Sequence, residues 1–152
     1  KAAKTATEAG DKMIIASGEN TLAILDLVQG KGVGTTFEPS KTPILARKSW
    51  ISSATRAAGS LVLDEGAVKA IVSRGSSLLP KGIVRVEKEF LRGATVQLKD
   101  LDGKVIARGL TRYSSEELSL IIKHDSKDIE SILGFTHGDV AVHRDDLVLV
   151  DK

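Results

Sequence analysis

The sequence predicts a mixed architecture: a short α/β segment followed by a mostly β, barrel-like domain with short helices. Three observations carry this. Helix, strand and helix patterns follow one another quickly over the first 30 residues, which is α/β grammar. Short apolar strands then recur after residue 59, several of them separated by turn glycines. The stretch between, Ser52-Ser53-Ala54-Thr55-Arg56-Ala57-Ala58-Gly59, is small and polar and has no period. The expected division is therefore an upstream segment 1–51, a linker 52–58, and a domain 59–150.

The chain has 152 residues, 41% of them apolar and 28% charged. That is enough apolar material for one packed core. There are no cysteines, so disulfides, zinc ribbons and thiol catalysis are excluded. Apolar runs are only a few residues long, too short for a membrane helix. Twenty-two Lys and Arg against twenty Asp and Glu leave +2, too balanced to announce a nucleic-acid partner. Residues 1–56 hold eight basic and five acidic groups, and residues 57–152 hold fourteen and fifteen. The first residue is Lys1 and no secretory leader is evident. A piece of a longer, cytoplasmic protein is expected.

In the upstream segment, Ala2 to Ala9 is alanine-rich and stops at Gly10, a helix with a left-handed end. Met13-Ile14-Ile15-Ala16 reads as a buried strand closed by Ser17-Gly18. Asn20 can cap a second helix carrying Leu22, Leu25 and Val28 on one face and stopping at Gly30. Gly32 to Phe37 reads as an edge strand. Arg47 to Ile51 reads as a short helical or irregular closing segment. Trp50, the sole tryptophan, is expected to bury its ring as an anchor.

In the second part, Leu61-Val62-Leu63 is a strand. Asp64 caps a helix through Arg74, and Gly75 ends it. Ile83 to Val86 is a β-branched strand. Ala94, Val96 and Leu98 alternate with polar residues. Asp102-Gly103 before Val105-Ile106-Ala107 suggests a two-residue hairpin loop. Ser114 with Glu117 is a capping box opening a helix through Ile122. Ser126 is expected to open another, ended by Gly134. Leu147 to Val150 is the last strand, with Asp145-Asp146 as turn residues before it. The simplest form for such strands is a mostly antiparallel closed barrel, because closure removes exposed edges.

Candidate chemistry is sparse. Ser17-Gly18 lacks the repeated glycines of a phosphate cradle, so a tight strand-to-helix turn is preferred. His124, His137 and His143 have no metal-ligand spacing. Asp145 and Asp146 are adjacent on an extended segment and face opposite ways, so they would not share a Mg²⁺ ion. Arg144 can pair with one of them. The basic loop is the best contact surface. Arg74, Gly75, Lys81, Gly82, Arg85, Lys88 and Arg92 fall within residues 74–92, which hold five cations and two glutamates. Arg144 joins them as a candidate RNA or partner contact. The plainer account, a solvated face ordered by Pro80, is preferred, because only 3% of the residues are aromatic and no stacking surface is visible.

Several runs carry a family resemblance. Leu63-Asp64-Glu65-Gly66-Ala67, Arg74-Gly75-Ser76-Ser77-Leu78-Leu79-Pro80-Lys81-Gly82-Ile83, Ile106-Ala107-Arg108-Gly109-Leu110 and Val142-His143-Arg144-Asp145-Asp146-Leu147 resemble a PUA domain, a small pseudo-barrel. Ile14-Ile15-Ala16-Ser17-Gly18, Gly32-Val33-Gly34-Thr35 and Arg47-Lys48-Ser49-Trp50-Ile51 resemble the end of an amino-acid kinase domain. Ser49 stands where that family usually carries a basic residue. The joint order is similar to the carboxy-terminal part of bacterial glutamate 5-kinase. The resemblance implies a parent enzyme that transfers the γ-phosphoryl group of ATP to the side-chain carboxylate of L-glutamate, with Mg²⁺, opening proline biosynthesis. It also implies a homo-oligomer. The family's glycine-rich loop and glutamate contacts have no counterpart among these residues. No catalytic, cofactor or metal residue is therefore assigned, and the segment alone is expected to be inactive and to bind no cofactor.

Overall fold

A computed structural model describes residues 2–19, 22–32, 34–40, 42–53 and 56–150. The chain divides into two compact units, 1–47 and 48–152.

The first unit begins with α1 (Ala2–Glu8), then β1 (Met13–Ile15), α2 (Ala23–Val28) and β2 (Thr35–Phe37). Gly10 and Gly30 take positive φ values of 87° and 73° after their helices, as glycine stops should. The cap expected at Asn20 lies outside the described residues. β1 and β2 pair antiparallel, Met13 opposite Phe37 and Ile15 opposite Thr35. The buried strand expected at 13–16 is a strand but is not buried: Ile14 and Ile15 are exposed. Two three-residue strands make too small a sheet to enclose its own apolar side chains. Leu25 and Val28 on α2 are exposed for the same reason.

α3 (Pro43–Ser53) is a regular helix that runs across the division between the units. It takes in Ser52 and Ser53, where a linker was expected, and residues 54 and 55 are not described. The anchor also differs from expectation. Trp50 is half exposed, and its neighbour Ile51 is completely buried. One residue is a 100° step round a helix, so only one of the two can face inward.

The second unit is built on a five-stranded sheet. Its strands are β3 (Gly59–Leu63), β4 (Ile83–Glu87), β5 (Thr95–Lys99), β6 (Val105–Thr111) and β7 (Val142–Leu149), in the order β4-β3-β5-β6-β7. β3 is buried at every position, which suits its continuous apolar run. It lies parallel to β5 and antiparallel to β4, and the parallel pair requires the long crossover through α4 (Glu65–Arg74) and β4. Asp64 caps α4 by accepting from the Ala67 N–H at 2.7 Å, and Gly75 closes it at φ 60°. α5 (Ser115–Ile121) carries the full capping box between Ser114 and Glu117. Leu61, Leu63, Val96 and Leu98 from the sheet meet Ile71 of α4 and Leu118 of α5 in one core.

The sheet is not a continuously hydrogen-bonded barrel. β4 and β7 stand at its margins. One bridge links the approach to β4 with β7: Leu78 N–H donates to Val142 O at 2.8 Å, and Ala141 N–H donates to Leu78 O at 2.8 Å. The β5–β6 loop also differs from expectation. Asp100 N–H bonds Lys104 O and Gly103 N–H bonds Asp100 O, with Gly103 at φ 84°. That is a three-residue loop with a glycine bulge, one residue longer than the expected turn. Ser126 does not cap a helix. Its hydroxyl donates to Asp139 O at 2.6 Å, and a 3-10 turn at Ser126–Asp128 leads into α6 (Ile129–Leu133). Asp145 and Asp146 lie inside β7 rather than before it. They occupy the irregular stretch where the register shifts between Gly109 and Thr111 of β6.

Candidate functional site

The basic positions singled out by the sequence fall into separate neighbourhoods. Arg74 is exposed in the last turn of α4, where a cation suits the helix dipole. Gly75 and Arg144 line a cleft of about 610 Å³ with Asp145, Ile71 and Leu147. The Arg144 backbone N–H donates to Ser77 Oγ at 3.0 Å, tying β7 to the loop after α4. Its guanidinium is 4.0 Å from Asp145, and Asp145 is 3.5 Å from His143 Nδ1. Lys81 and Gly82 line a second cleft of about 370 Å³ with Ala67, Ala70, Ser76 and Leu79. Gly82 is there for closeness: a Cβ on it would stand 2.6 Å from the Ala67 methyl.

Much of the charge around this loop is already neutralised. Lys81 Nζ is 3.0 Å from Asp125, and its hydrogen bond and charge hold that carboxyl below the usual aspartate range. Arg85, on the marginal strand β4, is 3.0 Å from Glu87. Glu87 also accepts from Lys99 at 2.8 Å. The Lys99 hydrogen bond, then that of Arg85, holds Glu87 below the usual glutamate range. Lys88 follows with a left-handed backbone at φ 67° and an exposed side chain. Arg92 stands apart, its Nη1 3.4 Å from His137 Nε2.

That last contact belongs to a cluster the sequence did not reveal. Tyr113, fully buried, donates its hydroxyl to Gly138 O at 2.5 Å and receives the His137 N–H at 2.9 Å. Thr136 Oγ1 lies 3.2 Å from the same hydroxyl and accepts the Gly138 N–H at 3.0 Å. The His137 ring packs 5.4 Å from Tyr113 and 5.0 Å from Phe135, centroid to centroid. No short-range motif announces these partners, which are 22 to 25 positions apart. Among the described residues no group of three or more His, Asp or Glu could hold a metal ion. No helix there is long and apolar enough to cross a membrane.

The fold is decided by a match to the PUA domain family model over residues 59–133. The chain contains a PUA domain. Its five-stranded sheet with short helices is the architecture expected of one. The homology extends beyond the PUA domain. A glutamate 5-kinase of Shewanella oneidensis is 49% identical over 150 residues, covering 99% of this chain and 40% of the relative. One from Sodalis glossinidius is 46% identical over 149 residues, covering 98% of this chain and 40% of that protein. The chain thus spans about 40% of the length of these relatives. Among solved structures, a PUA domain from Aeropyrum pernix K1 matches with a TM-score of 0.42 and 23% identity, covering 57% of this chain and 41% of its own. A conserved PUA domain protein from Thermoplasma acidophilum matches with a TM-score of 0.42 and 17% identity, covering 88% and 91%.

Proposed function

We propose that this chain is the PUA-bearing part of an ATP-dependent glutamate 5-kinase, and that its PUA domain is an accessory or regulatory module of that enzyme. The single observation that carries the reading is the identity to glutamate 5-kinases along 99% of the chain. That match includes the α/β segment upstream of the PUA domain, which an isolated RNA module would not need. In this reading residues 1–51 are the end of an amino-acid kinase domain. The exposed Ile14, Ile15, Leu25 and Val28 are then faces that the rest of that domain covers.

The reaction is phosphoryl transfer from ATP to the side-chain carboxylate of L-glutamate, giving L-glutamyl 5-phosphate in the first step of proline biosynthesis. Such transfer depends on placing cations around the phosphoryl oxygens. The ATP, Mg²⁺ and glutamate sites are assigned to the length of the relatives that this chain does not match, and no residue here is given a catalytic role. The parent is taken to be a cytoplasmic homo-oligomer. The test is ADP release with glutamate as acceptor. The longer polypeptide should turn over and this chain alone should not. Turnover by this chain alone would refute the assignment, as would a parent that phosphorylates another acceptor.

A second reading is an RNA-binding PUA module without a metabolic role, using Arg74, Gly75, Lys81, Gly82, Arg85, Lys88, Arg92 and Arg144. The cleft beside Lys81 favours it. The ion pairs Lys81–Asp125 and Arg85–Glu87 weigh against it, because affinity for a phosphate backbone depends on free cations. A tRNA mobility shift at low salt, lost in Lys81→Ala and Arg85→Ala, would support this reading over the first.

A further inference from the structure

Helix α4 leaves an apolar side chain, Val72, outside the core that its neighbour Ile71 enters. Glu65, Val68 and Val72 follow one another at steps of three and four along one side of that helix. They line a cleft of about 480 Å³ that they share with the buried Leu63 and with residues 100–102 of the β5–β6 loop. Val72 is 49% exposed there and Leu101 57%. A loop built only to connect two strands would carry polar side chains at its tip. This one presents a leucine from a fixed backbone: Asp100 Oδ1 accepts the Asp102 N–H at 3.1 Å and the Lys104 N–H at 2.8 Å. An incoming partner would therefore not have to order it.

The charge around these two apolar side chains is one-sided. Glu65, Asp100 and Asp102 line the cleft against the single cation Lys69. Three negative charges against one positive leave −2 locally, in a chain whose total is +2. None of the four forms an ion pair among the described residues, in contrast to Glu87 and Asp125. Glu65 suits the first turn of α4, and Asp100 shapes the loop, but the Asp102 carboxylate has no partner among the described residues. The three carboxylates do not gather closely enough to hold a metal ion. Apolar groups ringed by spread, uncompensated carboxylates complement a surface that sets a large apolar side chain beside Lys or Arg.

We propose that the cleft between α4 and the β5–β6 loop is a docking site for a basic, leucine-bearing segment of a partner protein. The segment lays an apolar side chain against Val72 and Leu101 and a Lys or Arg against Asp102 and Glu65. The apolar contact supplies affinity, and the charges set register and exclude acidic segments. A cleft of this size takes only a few side chains, so the encounter is weak and transient. The site is separate from the loop of Lys81 and Gly82 and does not depend on the kinase reading.

The experiment titrates the full 152-residue chain with a blocked Lys-Leu-Leu-Lys-Leu-Lys peptide and follows amide shifts at 65–73 and 100–103. Two control peptides replace every Leu by Ser or every Lys by Glu. The parent peptide should move these amides and the controls should not. Leu101→Ser should weaken binding about tenfold, the size of one lost apolar contact. Asp102→Asn should weaken it about threefold and lower its salt dependence. Both side chains are exposed, and melting temperatures verify that the variants fold. Lys81→Ala should leave binding unchanged. Absence of shifts, or equal binding of either control peptide, overturns the proposal. Concentration-dependent shifts of the same amides without peptide, lost in Leu101→Ser, would name a second copy as the occupant and overturn it too. So would peptide binding to this chain that disappears in the longer polypeptide, because the cleft would then belong to that protein's own interior.

Discussion

The Tyr113 hydroxyl lies 2.5 Å from the Gly138 carbonyl oxygen, 25 positions along the chain, and binds the loop before β7 to the core. Tyr113→Phe keeps the ring and removes this anchor. The Gly138 carbonyl and the His137 N–H then lose a partner in a partly buried place. A loss of about 1–3 kcal/mol is expected, read as a lower urea midpoint at unchanged slope. Amides 136–138 should exchange faster with solvent. Unchanged exchange would mean that Thr136 holds the loop without the tyrosine.

Gly109 is needed for close approach rather than for its backbone angle. A Cβ there would stand 2.5 Å from Val142 Cγ1 and 3.1 Å from the Asp146 carbonyl oxygen. Gly109→Ala must push β6 and β7 apart where their register already shifts. A destabilisation of about 1–3 kcal/mol is expected from overpacking. Gly103→Ala would meet open space but sits at φ 84°, so its cost of about 1 kcal/mol would come from the backbone alone. A harmless Gly109→Ala in chemical unfolding would show that Val142 moves aside freely.

Ile51 and Trp50 provide a paired test of the helix face. Ile51→Ala empties a completely buried position and should cost about 2–4 kcal/mol. Trp50→Ala removes a larger side chain that is half exposed, and should cost less despite its size. Thermal melts of the two variants decide the matter. A larger loss for the tryptophan would contradict the orientation of α3.

Glu87 should titrate below the ordinary glutamate value of 4.5, because Lys99 and Arg85 stabilise its ionised form. A lowered folded value means that its contribution to stability is complete above the unfolded value near 4.5. It fades as pH falls through the lowered folded value. Carboxyl NMR titration reads this directly. Lys99→Met, which removes the first cause of the shift, should move the midpoint upward. A midpoint unchanged by Lys99→Met would leave Arg85 as the sole cause.

The signals legible in the sequence were local ones. Asp64 and Gly75 bounded α4, and Ser114 with Glu117 opened α5, because caps satisfy the first backbone groups of a helix from within a few residues. The runs 61–63 and 83–86 became strands because their residues suit a pleated surface. The same reasoning misread Ser126, whose hydroxyl found Asp139 rather than its own helix. It also placed Asp145 and Asp146 in a turn before the strand, when they lie inside β7, in the irregular stretch between its paired residues Val142 and Leu147.

What only the tertiary structure decided is which residues meet across distance. Composition gave three percent aromatics and no visible stacking surface, yet folding sets His137 between Tyr113 and Phe135 and brings Arg92 to its edge. The strand order, the parallel β3–β5 pair and the burial of Ile51 instead of Trp50 belong to the same class. The physical reason is one of range. Caps, turns and periodicity act within about a helical turn and are written in adjacent letters. Pairing and burial depend on groups tens of residues apart, whose meeting is settled only when the whole core closes.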